Sequence, residues 1–277
     1  MLDKVFRFPG FKYKAVTLSY DDGTIYDKKL IEIMSKYGLR GTFNLSTTFF
    51  SDRWGLPTNL STEEAKALYY PSGNEVAIHG HNHWSLTKYP TDQMVGEVYE
   101  CRKELEQLFG GIIRGMAYAN GLYNDEVVSC LKMLGVKYSR TCDSTHDFEI
   151  RDEWLKLRPT CHHDDEKLFD LADKFLAWDI EKMYVRDSVC FYVWGHSYEF
   201  EHNQNWDRME EFCRKIGGKD DTWYATNMEI YDYIQAYKRL EFSLDGATVY
   251  NPTATDVYFE CERKNYLVKA GETIKVG

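Results

Sequence analysis

The feature that most constrains the fold of this chain is an alternation of short apolar segments with helical segments. The apolar segments are rich in β-branched and aromatic residues, and most are followed by apolar residues at helical spacing. Such alternation calls for parallel strands joined by right-handed crossovers. The seven predicted strands are Ala15–Ser19, Thr42–Leu45, Glu75–Ile78, Ile112–Tyr118, Val136–Ser139, Val189–Trp194 and Trp223–Thr226.

Helix ends are indicated by capping residues and by glycines. Gly38 follows the first helix, and Ser61 with Glu64 has the pattern of a capping box. Seven or eight strand–helix units close most readily into a barrel, and a doubly wound open sheet is the alternative. The predicted helices are Asp27–Tyr37, Ser61–Tyr69, Thr91–Phe109, Asn124–Leu134, Glu166–Ala177, Trp206–Ile216 and Met228–Leu240.

Three regions depart from this alternation. Residues 1–14 are predicted to be an irregular lead-in, and residues 141–165 form a less regular stretch rich in Asp, His and Thr. Residues 241–277 contain only short β-like runs. We therefore divide the chain into a barrel over residues 1–240 and a short β-rich C-terminal extension over residues 241–277. The extension could serve packing, dimerisation or contact with a ligand.

Charge and cysteine content narrow the class of partner and the compartment. The net charge of −10 argues against nucleic acid and against an anionic membrane surface as partners. The seven cysteines are odd in number, widely spaced and without a C-x-x-C pair, which favours reduced thiols. We find no signal-peptide pattern and no membrane span. We therefore expect a cytoplasmic protein.

Two adjacent carboxylates follow the first predicted strand. Asp21 and Asp22 repel each other unless a cation or a shared proton lies between them, and Gly23 allows a sharp turn at this point. In parallel α/β folds, chemistry is concentrated at the carboxyl ends of the strands. The pair is thus either a site or a solvated Asp-Asp-Gly turn.

Three histidines lie within five residues after the third predicted strand. If the chain stays extended, His79, His81 and His83 share one face. If the chain coils at Gly80, His79 and His83 lie one turn apart and can chelate one ion. Two imidazoles with one carboxylate form a typical donor set for a hydrolytic Zn²⁺ site or a related divalent site.

Polar residues from other strand ends meet the same edge. His196 is a candidate acid for the leaving group, and Asn120 lies at the end of the fourth predicted strand. A metal lowers the pKa of bound water, and a carboxylate close to the metal can take the proton of that water. The two adjacent carboxylates could therefore have different roles.

These residues form motifs that resemble those of the polysaccharide deacetylases (carbohydrate esterase family 4), over roughly residues 13–238. The motifs are Tyr20-Asp21-Asp22-Gly23, His79-x-x-x-His83, Ala117-Tyr118-Ala119-Asn120-Gly121 and Trp194-Gly195-His196. The resemblance implies a distorted, incomplete (β/α)7-type barrel with a small C-terminal β appendage. It implies metal-dependent removal of an N- or O-acetyl group from a sugar.

Residue-by-residue matching to the family implies a general base, three metal ligands, a general acid and a peptide N–H that stabilises an oxyanion. In that order, these are Asp21; Asp22, His79 and His83; His196; and Asn120. One divalent ion is implied, with zinc expected and cobalt, nickel, manganese or iron as alternatives. Residues that we expect to contact substrate or to support the catalytic groups are Tyr20, His81, Tyr118, Arg140 and Trp194.

The chain also departs from the family pattern. Gly80 replaces a hydroxyl residue, and Ala117 replaces the arginine that orients the base, for which Arg140 is our preferred substitute. The run Cys161-His162-His163-Asp164-Asp165 could be a second metal cluster, but we interpret it as a solvated loop.

We therefore predict a metal-dependent hydrolase that removes acetyl groups from an acetylated sugar or oligosaccharide. The alternatives are a hydrolase of a small non-sugar amide such as a cyclic ureide, and a non-catalytic carbohydrate-binding protein with a vestigial metal site.

Overall fold

The structure is a computed structural model that describes residues 4–182 and 186–277. The described strands, β1 to β14 in chain order, are Lys4–Arg7, Lys14–Asp21, Gly41–Leu45, Glu75–Ile78, Gly115–Ala117, Tyr138–Arg140, Cys161–His162, Val189–His196, Thr222–Tyr224, Glu241–Phe242, Thr248–Tyr250, Val257–Cys261, Lys264–Val268 and Thr273–Lys275. The described helices, α1 to α8, are Asp27–Lys36, Thr62–Leu68, Thr91–Phe109, Asp125–Met133, Leu168–Leu176, Ser197–His202, Trp206–Ile216 and Asn227–Lys238.

The main sheet consists of eight strands, and every pairing within it is parallel. Its order is β6-β5-β4-β3-β2-β8-β7, and β9 pairs with the first residues of β2. All eight residues of β2 are buried, as are α1 residues that pack on the sheet, such as Leu30 and Met34. The predicted parallel α/β architecture, an incomplete barrel, is thus confirmed.

One extended segment reaches both edges of this curled sheet. Leu157 forms a parallel bridge with Arg140 at the end of β6. A few residues later, the N–H of Thr160 donates to the carbonyl of Tyr192 in β8 at 2.8 Å, and β7 then pairs with β8. The segment therefore joins β6 at one edge of the sheet to β7 and β8 at the other edge, so that strands far apart in sheet order face each other.

The local signals for helix ends operate as expected. Ser61 and Glu64 form a reciprocal capping box at the start of α2, and the Asn124 side chain accepts a hydrogen bond from the N–H of Val127 at 2.9 Å. Helix α3 ends at Gly110, which has a left-handed φ of 74°.

The prediction of an irregular lead-in was wrong, whereas the stretch 141–165 is mostly irregular as predicted. Within the lead-in, residues 4–7 form strand β1, which pairs antiparallel with β12 of the C-terminal extension; residues 1–3 lie outside the described part. A buried ion pair of 3.0 Å between Arg7 and Glu260 joins the same two strands. Within the stretch 141–165, Cys161–His162 form strand β7. Neither strand is visible locally, because β1 pairs far along the chain and β7 is two residues long.

None of the described helices combines the length and the apolar character that a membrane span requires.

Candidate active site

Asp21 and Asp22 lie where β2 ends at the carboxyl edge of the sheet. Asp21 is the last residue of the strand and is 2% exposed. Asp22 has a φ of 77° and Gly23 a φ of 62°, so the chain leaves the sheet through two left-handed residues. A non-glycine residue rarely adopts this conformation without a structural reason. The turn places both carboxylates on the same side of the sheet edge.

The carboxylate of Asp21 is held on both sides. Its Oδ1 accepts a hydrogen bond from the Asn44 side chain at 2.8 Å, and its Oδ2 accepts one from the guanidinium of Arg140. Burial opposes ionisation of Asp21, but the positive charges of Arg140, His79 and His196 outweigh it and lower the pKa to about 2. Asp21 therefore remains a fixed anion at neutral pH.

Arg140 contacts Asp21 from β6, a strand at the edge of the main sheet. It ends β6, is fully buried, and its guanidinium lies 4.4 Å from the centre of the Trp194 ring. Stacking on an aromatic face stabilises a desolvated guanidinium, whose planar shape suits both contacts. Ala117 stands where the family pattern has an arginine that orients the base. Arg140 instead provides a guanidinium contact to the Asp21 carboxylate. Trp194 supports that contact from β8.

The three histidines of the 79–83 segment diverge. Gly80 has a φ of 91°, so the chain coils and does not continue as a strand. The ring centres of His79 and His83 lie 4.7 Å apart. The His81 ring points elsewhere, and its Nδ1 forms a 2.7 Å hydrogen bond with the hydroxyl of Thr47. Of the two conformations that the sequence left open, the coiled one is present.

Asp22, His79 and His83 form a group whose ligand atoms face one another. Asp22 Oδ1 lies 3.7 Å from His79 Nε2 and 3.6 Å from His83 Nε2. Each separation is less than twice a typical zinc–ligand bond of about 2.1 Å, so one ion can touch all three residues. The same Oδ1 is buried and has no hydrogen-bond partner in the described part of the chain.

The tautomer of His79 also suits a cation. Its Nδ1 lies 3.0 Å from the carbonyl oxygen of Ala117, which can only accept a hydrogen bond. The proton therefore resides on Nδ1, and the lone pair of Nε2 points toward Asp22. An oriented imidazole with a free nitrogen and an unpaired carboxylate oxygen are the donors that a divalent metal requires.

His196 faces both carboxylates from the end of β8. Its Nε2 lies 3.9 Å from Asp21 and 4.0 Å from Asp22, while its Nδ1 lies 3.3 Å from a carboxylate oxygen of Glu199. Burial disfavours the charged ring, but Glu199 and the two aspartates outweigh it and raise the pKa of His196 above its ordinary 6.5. The ring therefore holds a proton close to the site.

Glu199 is a residue that sequence reasoning missed. Besides His196, its Oε2 lies 3.2 Å from the Nε2 atoms of His162 and His163. Burial opposes ionisation, but these histidines hold the pKa of Glu199 far below its usual range. The available signal was its position three residues after His196, one turn into a new helix.

The interpretation of residues 161–165 as a solvated loop was wrong. His163 is 1% exposed and packs against the Phe200 ring at 4.1 Å. His162 and His163 with Glu199 form a second group of metal-ligand type. Here the backbone N–H of Asp164 donates to His162 Nδ1 at 3.2 Å. The ring proton of neutral His162 is then on Nε2, where it donates to Glu199 and leaves no lone pair for a metal.

Three further predicted residues lie beside the site or behind it. Asn120 is exposed, has a φ of 57° and donates from its side chain to the Ser85 hydroxyl at 3.0 Å. Tyr118 is buried, and its hydroxyl donates to the Leu155 carbonyl at 2.7 Å. Tyr20 is fully buried in the core. The structure thus places neither tyrosine ring at the carboxylate pair.

Comparison with protein families places part of this chain in a known family pattern. Residues 10–139 match the polysaccharide deacetylase family. The matched segment contains Asp21, Asp22 and the histidine segment but ends before His196. Comparison with curated proteins gave no match.

Solved structures share the fold. A polysaccharide deacetylase described as putative, from Mycobacterium smegmatis, has 18% identity and a TM-score of 0.59 over 86% of this chain and 96% of its own. A Bacillus subtilis peptidoglycan deacetylase has 16% identity and a TM-score of 0.53 over 82% and 94%. A carbohydrate esterase family 4 pseudoenzyme from Bacillus anthracis has 16% identity and a TM-score of 0.52 over 82% and 68%.

A deacetylase from Streptococcus pyogenes, solved with acetate, has 22% identity and a TM-score of 0.46 over 50% of this chain, which spans 61% of that protein. The resemblance that the motifs indicated is confirmed by the family match together with the M. smegmatis and B. subtilis folds: residues 10–139 carry the sequence signature of the polysaccharide deacetylase family, and the surrounding fold is the fold of that family.

Proposed function

We propose that this protein is a metal-dependent hydrolase that removes N- or O-linked acetyl groups from a carbohydrate. The observation that carries the proposal is the different surroundings of the two adjacent carboxylates. Asp21 is held by Arg140 and Asn44, whereas Asp22 directs an unpaired oxygen at two imidazoles. One carboxylate is thus suited to proton transfer and the other to holding a cation.

The residues divide the reaction as follows. A divalent cation held by Asp22, His79 and His83 would act as a Lewis acid and lower the pKa of a water molecule. Asp21 takes the proton of the attacking water, and the peptide N–H of Asn120 donates to the oxyanion that forms on the acetyl carbon. His196 gives its proton to the leaving nitrogen or oxygen, so that the bond to the acetyl group breaks and acetate is released.

The proposal is tested by acetate release together with metal content. Asp21→Asn should retain the metal and lower kcat by about 100- to 10,000-fold, the usual contribution of a general base. Asp125→Asn, which changes an exposed aspartate in α4, is the matched control and should behave as wild type. The proposal fails if the purified protein binds no divalent ion although all the ligand residues are intact.

A second candidate keeps the site and changes the substrate to a small non-sugar amide, such as a cyclic ureide. The altered third motif supports it, because Ala117 and Ala119 replace an arginine and a proline of the usual family pattern. Hydrolysis of a panel containing acetylated chito-oligosaccharides and small amides separates the two candidates. Activity only on the oligosaccharides excludes the second.

A non-catalytic sugar-binding role is the third candidate. A pseudoenzyme occurs on this fold in B. anthracis, and this chain lacks an arginine at position 117. The contact between Arg140 and Asp21 argues against this role, because the base retains a cationic partner. Sugar binding that is unaffected by a chelator, with no acetate released from any donor, would favour the third candidate.

We propose zinc as the ion, because two imidazoles and one carboxylate suit it, although cobalt, nickel, manganese and iron accept the same donors. Elemental analysis of protein purified without added metal decides among them.

We also propose a cytoplasmic location, which the seven free cysteines support and cell fractionation tests. Dimerisation through residues 241–277 stays a prediction, to be tested by sedimentation.

A further inference from the structure

A carboxylate on α3 lies against the loop that carries two of the proposed metal ligands. We define the ligand loop as residues 79–84. Glu97, in the second turn of α3, is 3% exposed, so its side chain is buried beneath this loop. The proposed reaction uses no atom of Glu97. A buried carboxylate is costly unless hydrogen bonds compensate for the lost water, so its partners need an explanation.

The side-chain hydrogen-bond partners of Glu97 all belong to the ligand loop within the described part of the chain. Its Oε1 accepts from the backbone N–H of Asn82 at 2.6 Å and from that of Trp84 at 3.2 Å. Its Oε2 accepts from the side-chain amide of Asn82 at 2.9 Å. Its carbonyl oxygen accepts from the N–H of His81 at 3.1 Å. One residue therefore binds residues 81, 82 and 84 of the ligand loop, which lie between the two ligand histidines and just beyond them.

A larger residue at position 80 would press against the Glu97 carboxylate. A Cβ atom on Gly80 would lie 2.8 Å from Glu97 Oε1, closer than such atoms approach in proteins. The φ of 91° at Gly80 is also unfavourable for a residue with a side chain. The carboxylate thus occupies the space next to the backbone where a side chain of residue 80 would begin.

We propose that Glu97 is a positioning residue for the metal centre, and that its carboxylate performs the orienting task that a side chain at position 80 cannot perform here. The contacts fold the ligand loop so that His79 and His83 face Asp22. The inference rests on the proposed function, since it concerns the same metal ligands. It assigns a role to a residue that no catalytic motif contains.

The geometry argues for orientation beyond general stability. Without Glu97, the coil after Gly80 would lose the acceptors of two partly buried N–H groups on either side of His83. His83 itself has a φ of 59°, a conformation that its surroundings must enforce. Relaxation of this residue would move its imidazole away from Asp22. Hydrogen-bonding partners of metal ligands commonly contribute about 10- to 100-fold to metal affinity.

The first experiment measures the dissociation constant of Zn²⁺ by competition with a chelating dye. Glu97→Ala should weaken binding by about 10- to 100-fold. Glu97→Gln should weaken it less, because an amide oxygen still accepts from the two N–H groups. Glu100→Ala is the matched control on the same helix, where an exposed carboxylate contacts Lys103, and it should bind as wild type.

If Glu97 only stabilised the fold, its variants would lose stability without losing affinity for Zn²⁺. If both Glu97 variants melt earlier without metal yet bind Zn²⁺ with wild-type affinity when folded, the proposal is overturned. If the alanine variant does not fold, the glutamine variant still decides, since it nearly preserves volume. Failure of wild type itself to bind metal would instead overturn the proposed function, so the two failures are distinct.

A double-mutant cycle tests the contact with Gly80. Gly80→Ala should also weaken Zn²⁺ binding, because its Cβ displaces the Glu97 carboxylate. In the Glu97→Ala background, the same change should cost less, since the obstructing oxygen is absent. Additive losses in the double variant would show that the two residues act independently and would contradict the pairing.

Discussion

Two clusters in this protein contain the same groups, two histidines and one carboxylate, yet their hydrogen bonding differs. In the first cluster, Asp22 Oδ1 has no hydrogen-bond partner, and a carbonyl places the proton of His79 on the far nitrogen. In the second cluster, Glu199 Oε2 lies 3.2 Å from each of its two imidazole nitrogens, and a backbone N–H places the proton of His162 on the near nitrogen.

The comparison shows that the backbone group behind each ring decides what a cluster can bind. A carbonyl behind the ring leaves a lone pair facing the centre, whereas an N–H group leaves a proton there. The first cluster is therefore open to a cation. The second is closed at His162, whose proton faces Glu199, and the other oxygen of that carboxylate lies 3.3 Å from Nδ1 of His196.

The largest expected effect concerns metal binding. His83→Ala should raise the dissociation constant of Zn²⁺ more than about 100-fold, beyond what loss of an outer hydrogen-bond partner costs. His162→Ala should leave one bound equivalent with wild-type affinity. The measurement is metal stoichiometry by elemental analysis together with dye competition. A second equivalent that disappears in His162→Ala would show that the closed cluster also binds metal.

Arg140→Lys should give the next largest effect. The lysine retains the positive charge but loses the planar group that lies over Trp194 while it contacts Asp21. We expect kcat to fall by about 10- to 100-fold with Zn²⁺ affinity unchanged, because the open cluster is intact. Arg114→Lys, at a half-buried surface ion pair, is the control. Wild-type kcat in Arg140→Lys would contradict the orienting role.

Glu199→Gln should have a smaller effect on rate and a visible effect on its pH dependence. The general acid is lost as pH rises through the pKa of His196, which Glu199 helps to raise. In the variant that pKa falls, so the alkaline decline in kcat should begin at lower pH. If the alkaline decline in kcat is unchanged in the variant, Glu199 does not control the pKa of the general acid His196.

The smallest expected effect is on stability. The raised pKa of His196 contributes stability that is fully present below about pH 6.5 and is lost as pH rises through the raised value. In metal-free protein, Glu199→Gln should therefore cost about 1 kcal/mol at pH 6 and less at pH 9. Thermal unfolding at both pH values measures this difference. A cost that grows with pH would contradict this assignment.

Much of the fold was predictable, because local signals determine it. The bounds of β4, α3 and α7 agree with those predicted from periodicity and capping residues. Strand β1 was missed because its partner β12 lies about 250 residues away, and no local pattern records that pairing. The 3-residue strand β5 was predicted too long, since Ile113 packs in the core outside the strand and Ile112 is exposed.

The site was predictable only where chemistry and strand position coincide. Asp21, Asp22 and His196 lie at strand ends, and the structure places them together. Tyr20 could have been placed away from them, because neighbouring strand residues point to opposite faces. Glu97 could not be identified, since it acts from a helix whose packing the sequence does not reveal. Glu199 could have been noticed from its position three residues after His196.

The contact between Arg140 and Asp21 makes the proposed chemistry depend on one weak closure of the barrel. We call this closure, the bridge between Arg140 in β6 and Leu157, the barrel seam. Arg140 is at the end of β6, which is joined to the rest of the ring through Leu157. If that seam opens locally, Asp21 loses its cationic partner while most of the sheet remains intact. Catalytic competence would then be lost in a partial opening below the melting temperature, and amide exchange in β6 should report the same event.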